Sequence, residues 1–245
     1  MKELFFWKEK DIKEKLNERT GKKKFILNFL NSHDIYQFKA EPLFREALSP
    51  KETINSIDGF IVSLYLSLKY FKKIARYTGP CFTQDFFKNK KLSFGKKHFF
   101  IGPEESDLKK LENKFEFLDE KKIFSYNPPY IKGIDFSEEE IKKIIEKIIE
   151  KRPDYVWVCI GCPKQCILTY RIFKKTSAKI YFNVGAALDF ILGKKKEAPL
   201  FFRKLGIEWL YRLITDFKYS KRKVWRSFIA LKYLGKNIKL KSNLK

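Results

Sequence analysis

Residues 155–166, YVWVCIGCPKQC, join a continuous apolar run to a Gly-Cys-Pro turn and the start of a helix. An uninterrupted apolar run of this length is typical of a strand that is buried on both faces of a parallel sheet. The same stretch holds three cysteines in the spacing C-x2-C-x3-C, so a zinc or iron–sulfur site is the first kind of site to consider. The stretch predicts a strand–turn–helix unit whose turn carries function.

Apolar runs of this kind alternate with helix-period segments along most of the chain. The strand candidates are KFILNFL (24–30), TINSID (53–58), KHFFIG (97–102), KIFSY (122–126), YVWVCIG (155–161) and AKIYFNVG (178–185). A helix is expected over about 35–48, and the clearest helix is 137–151, where Ser137 can cap the first turn. The alternation predicts an α/β fold with a Rossmann-like, mostly parallel sheet and helices on both faces.

The charge is strongly positive and concentrated near the C-terminus. The chain carries 53 Lys and Arg against 29 Asp and Glu, a net +24. Residues 194–245 alone hold 16 basic and 3 acidic residues. Beyond about residue 199 the pattern becomes helical throughout, with aromatics among the basic residues. We therefore expect an α/β core over 1–198 and a basic, all-helical C-terminal appendage over 199–245.

Such a charge implies an anionic partner: nucleic acid, an anionic membrane face or phosphorylated substrates. A compositional bias toward lysine is the plainer alternative. No apolar run reaches the roughly 18 residues of a membrane-spanning helix, and the N-terminus does not look like a secretory signal. Four cysteines are too few for a disulfide framework, so we expect a reduced, cytoplasmic setting.

The cysteine spacing does not favour a metal site. Cys159 is expected inside the strand, and only Cys162 and Cys166 flank the turn. A fourth ligand would have to be Cys81 or one of the two histidines, none of which has ligand spacing. We therefore expect no bound metal.

Ligands of parallel α/β sheets bind at the carboxyl ends of the strands. This rule nominates Asn31, Asp58, Gly102, the loop at Gly161 and residues 185–189. Neither a GxGxxG after the first strand nor a GxxxxGK[ST] is present, so ordinary dinucleotide and P-loop sites are not predicted.

Three C-terminal motifs follow one another: GCPKQ (161–165), NVGAALDFILGKKKEAP (183–199) and LGIEWLYRL (205–213). In this order they resemble the TagA/WecG/CpsF glycosyltransferases (glycosyltransferase family 26), whose pattern runs roughly G-[SA]-PKQE, VGxxxDFxxGxxxxAP and GLEWLYRL. The similarity extends through SIDGFIV (56–62), RYTG (76–79) and the loop and helix that begin at Asn31. It covers about residues 24–230.

The chain departs from the family pattern at or near the expected site. Cys166 stands where the PKQE motif ends in Glu, and Pro80-Cys81 replaces the acid that usually follows RYTG. Pro128-Pro129-Tyr130 replaces a Gly-Tyr of the mid-chain loop. These changes leave a different donor or acceptor, or a weaker enzyme, open.

The resemblance implies an inverting, metal-independent glycosyltransferase without a cofactor. It would move N-acetylmannosamine or a related sugar from a UDP-sugar to a polyprenyl-diphosphate-linked sugar acceptor, in the synthesis of a cell-surface polysaccharide. It also implies a cytoplasmic protein, peripheral at the inner face of the membrane and in contact with its anionic surface. A homo-oligomer is left open, and nucleic acid is not a partner in this interpretation.

Residue by residue, the resemblance implies a catalytic base at Asp58 and a contact from Asn31 to the donor or acceptor sugar. Substrate-binding roles fall to Arg76, Gln165, Gly185, Asp189, Arg212, Arg222 and Arg226. The residues alone allow plainer roles: Asp58 as the N-cap of the next helix, Asn31 as a turn former and Arg76 as a solvated cation. For Asp189, which lies between Leu188 and Phe190, an unpartnered exposed charge is a poor explanation.

Residues 218–234 are predicted to form an amphipathic helix. Its apolar face would hold Val224, Trp225, Phe228, Ile229, Leu231 and Leu234. We expect it to meet the anionic leaflet, and an ordinary terminal helix docked on the core is the alternative. From another functional class, the charge and the aromatics among basic residues in 217–241 would also suit a nucleic-acid-binding protein, although no recognised motif is present.

Overall fold

The computed structural model describes residues 3–17, 24–115 and 118–195 without a break. In the C-terminal fifth it describes residues 198–199, 202, 211, 214–215, 225–227, 229–230, 232–233 and 238–241. Within these ranges the strands are β1 (Leu4–Trp7), β2 (Phe25–Leu30), β3 (Thr53–Ile57), β4 (His98–Ile101), β5 (Ile123–Tyr126), β6 (Tyr155–Val158), β7 (Ile180–Asn183) and β8 (Ile238–Leu240).

Helices lie between most of these strands. They are α1 (Glu9–Asn17), α2 (Ser32–Ala40), α3 (Pro42–Ala47), α4 (Phe60–Lys69), α5 (Gly79–Lys88), α6 (Lys90–Ser93), α7 (Glu105–Lys114), α8 (Glu138–Lys151), α9 (Lys164–Phe173) and α10 (Ala187–Ile191), with a short 3-10 turn at Glu120–Lys122. Ser137 caps α8 as predicted, since its hydroxyl accepts a hydrogen bond from the Glu140 N–H at 3.3 Å. No helix in the described ranges is both long and apolar enough to cross a bilayer.

The strands form one sheet in the order β5-β4-β6-β7-β2-β3-β1-β8. Every neighbouring pair is parallel, which confirms the predicted α/β fold. Parallel neighbours need crossover connections, and the helices supply them on both faces. Because the strands run the same way, their carboxyl ends share one edge, and the turns after β2, β3, β6 and β7 meet there.

The core confirms that YVWV is a strand buried on both faces. Trp157 packs on one face with Phe82, Phe86 and Phe182, at 4.4–6.1 Å between ring centroids. Val156 and Val158 pack on the other face, among the isoleucines of α8. Each of the four residues of β6 is buried. Side chains that alternate between two covered faces explain why the run is apolar throughout.

The single helix expected over 35–48 is wrong in detail, because the chain breaks it at Glu41. That residue is extended (φ −109°, ψ 108°) and precedes Pro42, the first residue of α3. A proline disfavours helical backbone at the residue before it, so two helices form.

The expectation of an all-helical C-terminal appendage is wrong at its end. Residues 238–240 form β8, which pairs in parallel with β1, and the Lys241 N–H donates to the Phe6 carbonyl at 2.8 Å. An edge strand presents unpaired backbone groups, and β8 covers those of β1. Described residues between 211 and 233 are helical, such as Tyr211 and residues 225–227. The boundary between 198 and 199 stays a prediction.

Candidate active site

The turns after β2 and β3 lie against each other at the carboxyl edge of the sheet. The Asp58 N–H donates to the Leu30 carbonyl at 3.0 Å, which places Asp58 beside Asn31. A Cβ added at Gly59 would come within 2.9 Å of the Asn31 Cα and 3.2 Å of the Ser32 nitrogen. Only glycine fits this approach, so the Asp-Gly motif has a steric reason.

Asn31 is the N-cap of α2, which agrees with its plainer role in turn formation. Its Oδ1 accepts from the His33 N–H at 2.9 Å, and Asp34 returns the bond by accepting from the Asn31 N–H at 2.9 Å. This reciprocal capping fixes the amide plane at the mouth of the site. The Nδ2 amide group takes no part in this capping, and it is the part of the side chain considered for contact with a ligand.

Asp58 does not cap α4, so that alternative is wrong. The N-cap of α4 is Gly59, and no side chain caps it. The Asp58 Oδ1 instead accepts from the Gly79 N–H at 3.1 Å, at the first residue of α5. The partial positive charge at the N-terminus of a helix stabilises a carboxylate placed there. Asp58 is half-buried, so its charge is partly shielded from water.

Arg76 lies in a segment that is anchored to the end of β3. The Tyr77 N–H donates to the Ile57 carbonyl at 2.8 Å, and the Ser56 hydroxyl donates to the Tyr77 carbonyl at 2.7 Å. Gly79, three residues after Arg76, holds Asp58. The structure therefore places Arg76, which is half-buried, at the same edge as Asn31 and Asp58.

Gln165 ties together the loops after β6 and β7. Its Oε1 accepts from the Gly161 N–H at 3.2 Å and from the Gly185 N–H at 2.9 Å, while its Nε2 donates to the Asn183 carbonyl at 3.1 Å. The side chain is 3% exposed. Its amide is engaged with the backbone, so it positions both loops. A direct contact with a nucleotide stays a prediction and would require the amide to exchange one of these bonds.

Two glycines of these loops have backbone conformations that other residues rarely adopt. Gly161 and Gly185 have φ of 87° and 56°, in the left-handed region. The loop of Gly185 touches the Asp58 side of the site through Gly79, where an added Cβ would lie 3.2 Å from the Val184 carbonyl oxygen. Asn31, Asp58, Gly79 and Gly185 therefore line one continuous stretch of the sheet edge.

Asp189, in α10, has a partner, as its apolar neighbours predicted. The Lys195 Nζ lies 2.7 Å from its Oδ2, and about a third of the side chain is exposed (35%). The short helix α10 follows Gly185 directly, so Asp189 lies one turn beyond the loop.

In the opening stretch, Cys159 and Cys162 have surroundings that favour the protonated thiol. β6 ends at Val158, so Cys159 lies one residue past the strand instead of inside it. Burial, and then the charge of Asp189, raises the pKa of Cys159. Cys162 and Cys166 lie 3.8 Å apart between their Sγ atoms, and burial, then the bond to Cys166 and the charge of Asp34, raises the pKa of Cys162.

Protonated thiols are poor metal ligands. Across the described residues no three His, Cys, Asp or Glu side chains are grouped closely enough to hold a metal ion. That the protein binds no metal stays a prediction.

A row of buried asparagines, not anticipated from the sequence, runs across the sheet beneath the site. Asn183 donates to the Asn28 Oδ1 at 2.6 Å, and Asn28 donates to the Asn55 Oδ1 at 3.0 Å. Asn55 closes the row on the Phe5 carbonyl at 3.1 Å, and the Cys166 thiol also donates to Asn28 at 3.4 Å. Buried polar groups that are fully bonded specify one register. The signal was an Asn inside each of three apolar runs.

Only part of the C-terminal basic segment can be related to the site. The Arg226 guanidinium lies 5.2 Å from the ring centroid of Tyr36, on the helix that Asn31 caps. The Lys39 Nζ lies 5.7 Å from the ring centroid of Tyr233. The other two predicted arginines, Arg212 and Arg222, lie outside the described residues.

The sequence of the chain is similar to those of known proteins. Several similar proteins are each called N-acetylglucosaminyldiphosphoundecaprenol N-acetyl-beta-D-mannosaminyltransferase. The protein from Staphylococcus aureus (strain MRSA252) is 41% identical over 87 residues, and those from strains NCTC 8325 / PS 47 and COL are 39% identical over 87 residues. The matched stretch covers 35% of this chain and 32% of each relative, so the chain matches about a third of their length.

The family match is much longer than these pairwise matches. A sequence model described as "Glycosyl transferase WecG/TagA/CpsF family" matches residues 7–243, which include each of the predicted site residues. The chain belongs to the glycosyl transferase WecG/TagA/CpsF family.

Proposed function

We propose that this protein transfers N-acetylmannosamine, or a related N-acetylhexosamine, from a UDP-sugar to the sugar of a polyprenyl-diphosphate-linked acceptor. Family membership supports glycosyl transfer. The printed name of the relatives contains both the transferred sugar and a diphosphoundecaprenol-linked acceptor. The observation that carries the proposal is the Asp58 carboxylate, oriented by the Gly79 N–H beside Asn31 at the carboxyl edge of the sheet.

Asp58 is the proposed general base of an inverting transfer. The acceptor hydroxyl attacks the anomeric carbon from the face opposite the UDP, the bond from that carbon to the UDP oxygen breaks, and the hydroxyl proton passes to the carboxylate. A carboxylate is a weak base, and it suits a proton transfer that occurs late in bond formation. Because one oxygen is held by Gly79, the carboxylate keeps its orientation without a substrate.

The departing diphosphate needs positive charge or N–H donors. Arg76 is at the same edge and can bind a phosphate through two parallel N–H bonds. We also propose that three arginines of the C-terminal segment approach the diphosphates: Arg212, Arg222 and Arg226. A guanidinium held in place there stabilises the negative charge that develops on the leaving group. In this scheme no metal or cofactor takes part. Asn31 Nδ2 and the loop of Gly185 and Asp189 are the proposed contacts to the sugar and the nucleotide.

A lipid-linked acceptor places the reaction at a membrane. We propose a cytoplasmic protein that is peripheral at the inner face, drawn there by its net charge of +24. Trp225 is 68% exposed and Ile214 is 71% exposed, as the proposed membrane contact of the C-terminal segment requires. A homo-oligomer stays open, and nucleic acid is not a proposed partner.

Thermal unfolding with nucleotides tests the donor class and separates this function from nucleic-acid binding. UDP at about a hundred times its Kd should stabilise the fold by roughly 2.7 kcal/mol, which is several degrees in Tm for a chain of this size. ADP is the matched control for the base. A panel in which UDP has no effect while single-stranded DNA raises the Tm at moderate salt would contradict the proposal and favour the nucleic-acid alternative.

A further inference from the structure

The outward face of α4 is apolar where a surface helix is normally polar. Leu64 and Leu68 are 46% and 67% exposed, and their spacing of four residues puts them on one face of the helix. Phe71, two residues after the helix ends, is 97% exposed. Val62 and Leu66 on the other face are buried in the core. We call Leu64, Leu68 and Phe71 the α4 stripe. Three exposed large side chains in a row mark an interaction surface more than scattered surface residues do.

Phe71 occupies a position that normally belongs to glycine. The Lys72 N–H donates to the Ser67 carbonyl at 3.1 Å and the Phe71 N–H to the Leu68 carbonyl at 3.4 Å, the bond pattern of a helix end with a left-handed residue. Phe71 has φ of 48°. An L-residue with a bulky side chain is strained there, and this one gains no burial in return. Folding alone would favour glycine, so an exposed aromatic side chain at this position suits a role in binding.

The segment that follows is held in place. The Ile74 N–H donates to the Ser67 hydroxyl at 2.9 Å, and Ile74 itself is buried. On the other side, the Lys69 Nζ donates to the Ile238 carbonyl of β8 at 2.8 Å. These hydrogen bonds hold the end of α4, where Phe71 lies, next to β8.

The segment that carries the stripe has charge of one sign. Residues 59–84 contain four basic residues and no acidic residue, and the two that follow Phe71, Lys72 and Lys73, are exposed. Apolar side chains flanked by lysines suit the interface of an anionic bilayer. A symmetric contact between two copies that is centred on the stripe would instead place the lysine pairs of both copies at one interface, which is unfavourable. The charge therefore favours a lipid surface over a second copy of the chain.

We propose that the α4 stripe, with Lys72 and Lys73, is a membrane-docking surface that inserts into an anionic leaflet. The inference rests on the proposed function, because a lipid-linked acceptor requires the protein to work at a membrane surface. α4 begins at Phe60, two residues after Asp58, and its ten residues extend about 15 Å. The proposed base and the docking surface are therefore joined by one helix, and the surface is separate from the one proposed around Trp225.

Vesicle flotation of the full chain tests this surface. The stripe variants are Phe71→Gly, Leu64→Gln/Leu68→Gln and Lys72→Gln/Lys73→Gln, mixed with phosphatidylglycerol-containing or pure phosphatidylcholine vesicles. Phe94→Gln and Ile149→Gln are matched controls, since these side chains are 67% and 50% exposed elsewhere. Lys109→Gln/Lys110→Gln controls for the loss of two adjacent exposed lysines. Phe71→Gly guards against misfolding, because it should leave the Tm unchanged or raise it by up to roughly 3 °C.

We expect each stripe variant to bind anionic vesicles roughly tenfold or more weakly than the parent, with the controls unchanged. Sugar transfer should fall for an acceptor embedded in vesicles and stay unchanged for a GlcNAc-diphosphate with a short, water-soluble alkyl chain. Parent-like vesicle binding by the stripe variants would overturn the inference. So would sedimentation showing that they only dissociate an oligomer, which would make the face an interface between copies. If the parent transfers sugar to neither acceptor, the proposed function fails, and flotation still decides the docking surface.

Discussion

The Asp58 carboxylate accepts a hydrogen bond from the backbone N–H of Gly79, with 3.1 Å between Oδ1 and N. This bond joins the turn after β3 to the first residue of α5. It gives Asp58 a fixed orientation and an electrostatic partner that a helix cap for α4 would not provide. Gly79 also abuts the Val184 carbonyl, so the same glycine connects the proposed base to the loop of Gly185.

Asp58→Asn should abolish most of the transfer and leave the fold and the binding of UDP intact. The amide keeps an Oδ1 that can accept from Gly79, but it cannot take a proton from the acceptor hydroxyl. Loss of a general base costs on the order of 10²–10⁴ in rate. Steady-state kinetics and UDP titration measure the two effects.

The matched control for this change is Asp119→Asn, since the Asp119 Oδ1 accepts from the Lys121 N–H at 3.0 Å and lies outside the site. An Asp58→Asn enzyme within a few-fold of the parent rate would reduce Asp58 to a structural role at α5.

Gly59→Ala should lower the turnover without unfolding the protein. The added methyl group would lie 2.9 Å from the Asn31 Cα, so the turns after β2 and β3 must move apart. Displacements of this size at a site cost roughly tenfold to a hundredfold in rate. Gly133→Ala, whose added Cβ has only the Asp135 carbonyl oxygen nearby at 3.9 Å, is the control. Equal turnover in the two variants would show that the contact of the turns is unimportant.

Gln165→Ala should destabilise the fold and loosen both loops. Three hydrogen bonds of a buried amide are lost, each of which contributes about 1 kcal/mol, so we expect a loss of roughly 2–4 kcal/mol in the free energy of unfolding. Urea denaturation measures it, with the exposed Gln84→Ala as the control. A change below about 0.5 kcal/mol would mean that the amide is replaceable by water.

Stability should decrease as the pH falls from about 6.5 toward 4, because of His98. The side chain is buried, accepts from the Trp157 Nε1 at 3.1 Å and contacts the Ser93 carbonyl through Nε2. Burial lowers its pKa to about 4, so the unfolded chain takes up a proton first. The stabilising effect of the neutral ring is complete above about pH 6.5 and is lost below it.

The free energy of unfolding should fall by about 2 kcal/mol between pH 7 and pH 5 because of His98. Urea midpoints of the parent and of His98→Asn at both pH values measure it, since carboxylates titrate equally in the two proteins. His33→Asn removes the only other histidine, and its slope measures the share of that residue. Identical pH slopes in the parent and His98→Asn would refute the assignment.

Trp225→Gln should weaken binding to anionic vesicles while the core stays folded. A point variant is a cleaner test of the C-terminal membrane contact than deletion from about residue 200. Deletion also removes β8 and leaves β1 as an open edge. Salt-sensitive vesicle binding that does not differ between Trp225→Gln and the parent would place the C-terminal contact elsewhere.

The sequence was sufficient for the inner strands and insufficient for the edge of the sheet that β1 and β8 form. β6 and β7 are buried on both faces, and their continuous apolar runs follow from that burial. β1 (LFFW) and β8 (IKL) have only four and three residues; Glu3 and Lys8 flank the first and Lys239 interrupts the second, so neither has a strong strand pattern. β8 is defined by its pairing with β1, more than 200 residues earlier in the chain, and no local pattern contains that information.

The site shows the same division. The rule of strand ends placed Asn31, Asp58 and Gly185 correctly because it depends only on the direction of the strands. The bond from Gly79 to Asp58 and the three backbone bonds of Gln165 join residues that are distant in sequence. The asparagines inside β2, β3 and β7 contradict strand propensity, and only their mutual contact explains them.

The most direct test of the account is the product of the reaction. The purified protein is incubated without added metal, with UDP-N-acetylmannosamine, UDP-N-acetylglucosamine or UDP-glucose and a GlcNAc-diphospho-lipid, and the lipid product is measured by mass spectrometry. The account predicts an acceptor heavier by one N-acetylhexosamine, UDP released in equal amount, and loss of both signals in Asp58→Asn. Unchanged lipid with every donor, from protein that binds UDP and anionic vesicles, would contradict it.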